Sequence, residues 1–246
     1  MTKEKFKNIE KLYHYTSFES AVKIIESGVL KFSPLQRMND INEKYRQIYL
    51  QSKITNDDEF HNVYDDCEKM LSNFKQISFT CDNDKRLGFD ISAMWGHYGR
   101  RGEGVCLLFD KGLIIEEANK NRYEYATIKY ISEPNNEYHF DKVYNDEIEF
   151  YTKNKEIFIT KTDDWSYEQE FRILNFIDNK DFNIKNALAG IILYNTEASY
   201  GSLAMTTKYK MLKSIAYIDS NQIPIIEYHN SESCSFEGHE LLKNYL

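Results

Sequence analysis

The chain has 246 residues, 41% of them hydrophobic and 28% charged, a balance that supports one sizeable core and excludes a disordered polymer. Its net charge of −8, from 31 basic and 39 acidic residues, excludes a broad electrostatic footprint for nucleic acid while leaving a local basic groove open. Cys67, Cys81, Cys106 and Cys234 are widely spaced with no CxxC pair, so they read as reduced thiols of a cytoplasmic protein rather than as zinc ligands.

No stretch approaches the ~20 apolar residues of a membrane helix, and the N-terminus shows no secretory h-region, so neither a membrane partner nor export is expected. The first predicted element is a strand at Lys11–Thr16. Ser17 is placed to cap a following helix, with Ser20 as a second choice; the apolar spacing of that helix runs through Ala21, Ile24 and Ile25, and Gly28 stops it. Val29–Phe32 is extended, and Ser33–Asn42 is a loop with Pro34 and an Asn39-Asp40 turn signal. Helices are predicted over Glu43–Ser52 and Glu59–Phe74, a short strand at Ile77–Thr80, and a short helix over Ile91–Tyr98. Gly102 to Gly104 hinge into a strand at Val105–Phe109, followed by a helix at Ile114–Lys120, a strand at Tyr123–Tyr130 and a charged, aromatic helix over Asn135–Glu156. Glu168–Phe176, Ile191–Tyr194, Ser214–Ile218 and Pro224–His229 read as strands, with helix over Tyr200–Leu212. No linker divides the chain, so residues 1–246 are expected to form a single α+β domain.

Several polar groupings stand out against this background. In WSYEQEFRIL, Glu168 and Glu170 are two apart, and alternation puts both on one strand face that Arg172 continues. Close carboxylates disfavour each other's ionisation and an arginine restores it, which suits the floor of a polar cleft; a solvated strand face is the plainer reading. His14 and Thr16 share one face at the end of the first strand, at the mouth of a helix. Trp95, His97 and Tyr98 lie between Met94 and Gly99, with Trp95 and Tyr98 three apart and on one face of a helical turn. Arg100-Arg101-Gly102-Glu103-Gly104 is a basic turn suited to phosphate, without Walker or Rossmann spacing. Asn39-Asp40 with Glu43 reads as a turn and a helix start, so no metal is expected. There is no GxSxG and no HExxH, and His61, His139, His229 and His239 stand alone.

LYHYTSFESAVKIIESGVLKFS, MWGHYGRRGEGVCLLF and KTDDWSYEQEFRIL together resemble a prokaryotic family known as domain-of-unknown-function family 2971, from about Leu12 to about Tyr217. The stretch Arg37 to Glu43 departs from that family's aromatic-Asn-Asp-Pro pattern, with Ile41 at the proline position, which implies a loop of different shape. The order of the blocks is also similar to the His-Tyr-Glu branch of the ADP-ribosyltransferase superfamily. That resemblance implies two small, mainly antiparallel sheets around a cleft with flanking helices.

It further implies NAD as substrate and no metal. Carried over, His14 would bond the adenosine ribose with Thr16 beside it, and Tyr98, or else Trp95, would stack on nicotinamide. Glu170 would be the catalytic glutamate, with Glu168 near the acceptor, and Arg100 or Arg101 would contact the pyrophosphate. The implied activity is an NAD-dependent ADP-ribosyltransferase, a glycosyl-transferring enzyme acting on a protein or nucleic acid, in the setting of a toxin or anti-phage defence effector with a neutralising partner. Glu170→Gln is then expected to remove activity with little loss of fold. The competing expectations are an NAD glycohydrolase, a non-catalytic nucleotide-sensing or partner-binding module, and a metal-dependent nuclease using Asp40 and Glu43 with the two later glutamates.

Overall fold

A computed structural model describes residues 9–35, 40, 47–50, 57–132, 137–140, 144–176, 181–195, 203–215, 218 and 220–229. Cys234, His239, Glu43 and most of the Arg37 to Glu43 stretch lie outside the described residues.

The chain begins as predicted. Strand β1 (Lys11–Thr16) leads into helix α1 (Phe18–Ser27). The Ser17 side chain accepts from the Ser20 backbone N–H, closing one open donor of the first turn. Gly28, at φ 69°, adopts the left-handed cap that a Cβ would strain, and its N–H returns to the Ile24 carbonyl. Short strands β2 (Val29–Leu30) and β3 (Ser33–Pro34) follow, then β4 (Gln47–Leu50), helix α2 (Asp57–Asn73) and β5 (Lys75–Cys81). Helix α3 (Ser92–His97) and a 3-10 turn at Arg100–Gly102 lead to β6 (Val105–Asp110), α4 (Lys111–Lys120), β7 (Glu124–Thr127), β8 (Lys129–Ile131) and β9 (Glu137–Phe140). Helices α5 (Glu147–Lys153) and α6 (Glu156–Ile159) precede β10 (Thr160–Thr162), and a 3-10 turn at Asp163–Glu168 precedes β11 (Glu170–Asn175). β12 (Phe182–Asn183), β13 (Leu188–Asn195), α7 (Leu203–Lys213) and β14 (Ile225–His229) complete the described elements.

The class is α+β, but among the described residues the expected pair of small sheets is replaced by one eight-stranded sheet in the order β14-β13-β6-β1-β5-β11-β7, with β3 beside β5, and three two-stranded sheets, β8 with β10, β2 with β12 and β4 with β9. Pairing in it is antiparallel except for β13 with β14. The sheet nonetheless has a neck. β1 follows β6 through all of Lys11–Thr16, whereas it meets β5 only at Leu12↔Cys81 and Tyr13↔Thr80. Two half-sheets are therefore joined by a short stretch of ladder at the middle.

Both faces of the sheet are covered. Leu12, Val105, Leu107, Phe109 and Ile191 pack on one side with Ala21 and Ile25 of α1. Tyr13, Tyr15, Cys106, Leu108 and Ile192 pack on the other with Phe89, Ile91 and Trp95. This double burial explains why Val105–Phe109 is an unbroken apolar run rather than an alternating one.

Other expectations are corrected. Gln47–Leu50, expected in a helix, is a strand paired in parallel with Glu137–Phe140, itself expected in a helix. Glu137–Phe140 alternates polar and apolar residues, a period-2 signal that its charged flanks obscured, whereas Gln47–Leu50 carries no such alternation. Ser214 and Ile215 are not extended; their N–H groups turn back to Met211 and Leu212 as α7 winds down. Tyr123–Tyr130 is broken at Ile128, whose N–H bonds the Glu170 carbonyl: β7 stays with β11, and β8 leaves to pair with β10.

Gly104, just before β6, lies against β1. A Cβ there would overlap the Thr16 carbonyl oxygen and crowd the Gly99 carbonyl, to which the Gly104 N–H is bonded. Gly104→Ala should therefore cost about 1–3 kcal/mol. Urea unfolding should show a lower midpoint with an unchanged slope, and an unchanged midpoint would contradict this packing.

Candidate functional site

Beyond Tyr13↔Thr80, β1 and β5 no longer pair, and a cavity of about 460 Å³ opens there. Its walls include His14, Thr16, Tyr98, Arg100, Glu168 and Glu170. Groups from the first strand, the middle of the chain and a late strand thus meet at one opening in the sheet.

His14 bridges the gap where the backbone ladder stops. Its Nδ1 lies 3.0 Å from the Ser78 carbonyl oxygen. A carbonyl only accepts, so Nδ1 carries the proton. Burial pushes the imidazole below its ordinary value, and the Ser78 carbonyl offsets part of that. The ring is therefore neutral near pH 7, and its Nε2 is an acceptor.

The opposite wall is ionic. Glu170 begins β11 opposite Thr80, and Arg172 lies opposite Ser78. Arg172 grips Glu170 with Nε on Oε1 at 2.6 Å and Nη2 on Oε2 at 2.8 Å, while its Nη1 donates to the Phe158 carbonyl at 2.9 Å. Lys161 Nζ lies 2.6 Å from Glu168 Oε2 and 2.8 Å from Glu170 Oε2. The Tyr98 hydroxyl donates to Glu168 Oε1 at 2.6 Å. Lys161, Glu168, Glu170 and Arg172 are each 5% exposed or less, so two carboxyls and two basic groups share one buried wall.

The two carboxyls are driven apart. Burial raises Glu170, but Arg172 and Lys161 outweigh it and hold that group far below the usual carboxylate range. Burial also raises Glu168; Lys161 offsets part of this and Glu170 adds to it, leaving that group above its ordinary value.

The local backbone differs from the predicted strand face. Glu168 ends the 3-10 turn, and Gln169, at φ 48°, reverses into the left-handed region before β11 begins. Its carbonyl accepts the Cys81 N–H, which ties this kink to the end of β5. The glutamates converge through that kink and through Lys161, not through strand alternation.

Trp95 does not line the cavity. It is 2% exposed, its Nε1 donates to the Phe89 carbonyl at 2.8 Å, and its ring meets Tyr15 edge-on at 5.0 Å. Arg101 is exposed at φ 58° and does not line the cavity either, whereas its neighbour Arg100, at φ 50°, does. Asp40 is buried, and among the described residues no cluster of His, Cys, Asp and Glu has the arrangement to hold a metal ion. No helix among them is long and apolar enough to cross a membrane. Lys161 received no role from the sequence, although it opens the KTDDW run; nothing in a three-residue polar strand marks its lysine as the counterion of the carboxylates that follow seven and nine residues later. His97 and Lys31 also line the cavity.

Residues 94–173 match the model of a family described as a protein of unknown function, DUF2971. That window holds Tyr98, Arg100, Lys161, Glu168, Glu170 and Arg172, whereas His14 and Thr16 precede it. No curated protein and no solved structure matches the chain.

The expectation that Glu170→Gln would bring little loss of fold must be revised, because Glu170 neutralises a wholly buried Arg172. Removing the cation is the more direct probe. Arg172→Met should destabilise by about 3–5 kcal/mol at pH 7, since it leaves a buried carboxylate short of a partner. The folded Glu170 carboxyl lies below its unfolded value, so its contribution is present above the unfolded value and lost as pH falls. The gap between parent and variant in urea unfolding should therefore narrow below about pH 4; a gap that does not change with pH would contradict the ionic pairing.

Proposed function

We propose that the cleft binds NAD and that the chain transfers ADP-ribose from it to a macromolecular acceptor, protein or nucleic acid. The observation that carries this reading is the meeting of His14, Tyr98 and Glu170 at one opening between β1 and β5. The cavity, about 460 Å³, falls within the size range of small-molecule sites. The neutral His14 offers an acceptor at Nε2, which suits a ribose hydroxyl. Arg100 supplies a guanidinium for a pyrophosphate. Thr16 lies beside His14 on the same strand face, and the Tyr98 ring gives a flat wall for the nicotinamide.

The chemistry needs an anion at the far wall. As the bond between nicotinamide nitrogen and ribose carbon breaks, positive charge develops on the ribose, and a fixed carboxylate stabilises that state more than the ground state. Glu170 stays ionised across the neutral range. With a macromolecular nucleophile the outcome is transfer; with water it is hydrolysis.

A second reading has its own observation. Both Glu170 oxygens are already engaged by Arg172, and Lys161 adds to one of them, so much of its charge is compensated. That favours a nucleotide-sensing module that binds without turnover.

Labelled NAD incubated with the protein and cell lysate separates these outcomes. Label on a macromolecule supports transfer, and free ADP-ribose with free nicotinamide supports hydrolysis. Saturable heat on titration with NAD, without nicotinamide release, supports sensing. His14→Ala should weaken NAD binding about 3- to 10-fold, the net worth of one neutral hydrogen bond. Absence of both heat and release in the parent protein would remove NAD from this site.

A further inference from the structure

Lys161 is set in place by backbone rather than by side-chain chance. β10 pairs in parallel with β8, with Lys161 opposite Tyr130. The Tyr130 hydroxyl accepts the Glu170 N–H at 2.9 Å, and the Ile128 N–H donates to the Glu170 carbonyl. The departure of β8 from β7 thus carries β10, and with it the Lys161 ammonium, up to the start of β11. The ammonium lies 5.4 Å from the centre of the Trp165 ring, which covers it with an apolar and weakly attractive face.

The charges are unequally shared. Glu170 already has the two-pronged grip of Arg172. Among the described residues, the salt bridge of Glu168 is to Lys161, and its other oxygen has the neutral Tyr98 hydroxyl. Lys161 is therefore redundant for one glutamate and decisive for the other.

We propose that Lys161 is a positioning residue: by bridging the two glutamates it holds Glu168 as an anion, aimed past Tyr98 into the cleft, where Glu168 accepts the proton of the attacking nucleophile. The activity part of this rests on the proposed NAD chemistry. In that step the nucleophile's lone pair forms the new bond to the ribose carbon. The bond from that carbon to nicotinamide breaks, and its electron pair leaves with neutral nicotinamide. The proton of the nucleophile passes to Glu168. Without the lysine, the wall holds two carboxyls and one guanidinium, and one proton must be taken up. Glu168 is the group that takes it, because burial and the neighbouring Glu170 already push it upward, whereas Arg172 keeps Glu170 ionised. The other groups at this wall are Tyr130 from β8, Tyr167 from the 3-10 turn and Tyr98 after α3, with His97 and Arg100 on the cavity lining. The three phenols add no positive charge, and among the described residues neither Arg100 nor Lys31, the other cations on the cavity lining, forms an ion pair with Glu168, so none of these substitutes for the ammonium.

The test needs no NAD at its first step. In protein carrying 13C-labelled glutamate carboxyls, with the Glu168 signal assigned from Glu168→Gln, Glu168 should be ionised at pH 7 in the parent. In Lys161→Met it should titrate about 1–3 pH units higher. Lys161→Arg, which keeps the cation, should titrate near the parent value and covers the case in which Lys161→Met does not fold. A Glu168 already protonated at pH 7 in the parent, or a titration that Lys161→Met leaves unmoved, overturns the proposal whether or not the protein cleaves NAD.

Nicotinamide release then tests the chemical role. At pH 7, Lys161→Met should be slower in proportion to its loss of ionised Glu168, about tenfold where the variant's carboxyl titrates one unit above the assay pH. Its rate should climb back towards the parent as pH rises through the new Glu168 titration. A loss of equal size at every pH overturns the positioning role. No release from the parent, with the carboxyl shift intact, overturns the NAD reading alone and leaves Lys161 as the group that sets the charge on Glu168.

Discussion

The structure depends on two carboxyls and two basic groups packed together in a buried place. Bringing Glu168, Glu170, Lys161 and Arg172 together out of solvent costs several kcal/mol for each ion. The geometry offsets this: Arg172 meets Glu170 with two parallel donors, and Lys161 reaches one oxygen of each glutamate. An apolar replacement of the whole set could stabilise the protein as well or better, so stability alone does not account for it. Such an arrangement places fixed charge next to a cavity, and the local backbone bends to achieve it. The broken strand at Ile128, the parallel pair of β8 with β10, and the left-handed Gln169 all deliver side chains to this one wall.

The second constraint is the neck of the sheet. A ladder between β1 and β5 that continued past Tyr13 would leave no cleft. It stops there, and the backbone groups it would have paired must find other partners. The His14 imidazole supplies one, bonding the Ser78 carbonyl across the gap. A side chain that replaces a missing ladder bond also fixes its own tautomer, so the structural role of His14 dictates which nitrogen is available to a ligand. Neck and ionic wall are linked, because β5 pairs with β1 on one side and β11 on the other, with Thr80 opposite both Tyr13 and Glu170.

What the sequence made legible was local. The Ser17 cap and the Gly28 stop sit at the ends of α1 because the open N–H and C=O groups of a helix terminus are met within a few residues. Val105–Phe109 announced itself as a strand by composition. The pairing of Glu168 with Glu170 was visible, but its cause was not: the pattern suggested a strand face, whereas a kink and a lysine bring the two together. Lys161 sits in Thr-Lys-Thr, a strand too short and too polar to show any periodicity, and its partners come from β8, the 3-10 turn at Asp163–Glu168 and β11. Trp95 and Tyr98, three apart, looked like one face. Helix α3 ends at His97, and Tyr98 is its cap at φ −110°, so the phenol turns towards Glu168 while the indole stays in the core. The order of strands in the sheet, and the neck within it, follow from long-range pairing that no local pattern encodes.

The two glutamates show how one wall can hold groups of different character. They are two residues apart, equally buried and joined by one ammonium, yet their environments pull them in opposite directions. Glu170 has a guanidinium in full contact and remains a permanent anion; it is suited to orienting a ligand and to countering positive charge. Its compensation by Arg172 lowers the field it exerts but also removes any tendency to pick up a proton when the cleft dries around a ligand. Glu168 has a weaker hold on its charge and a phenol on its outward oxygen, so it is the group able to exchange a proton. Pairs of carboxyls whose environments separate them in this way divide the work of a fixed charge and a mobile proton. In the proposed chemistry that division needs an ammonium between them, strong enough to keep the second glutamate ionised at rest and weak enough to let it take a proton from the nucleophile.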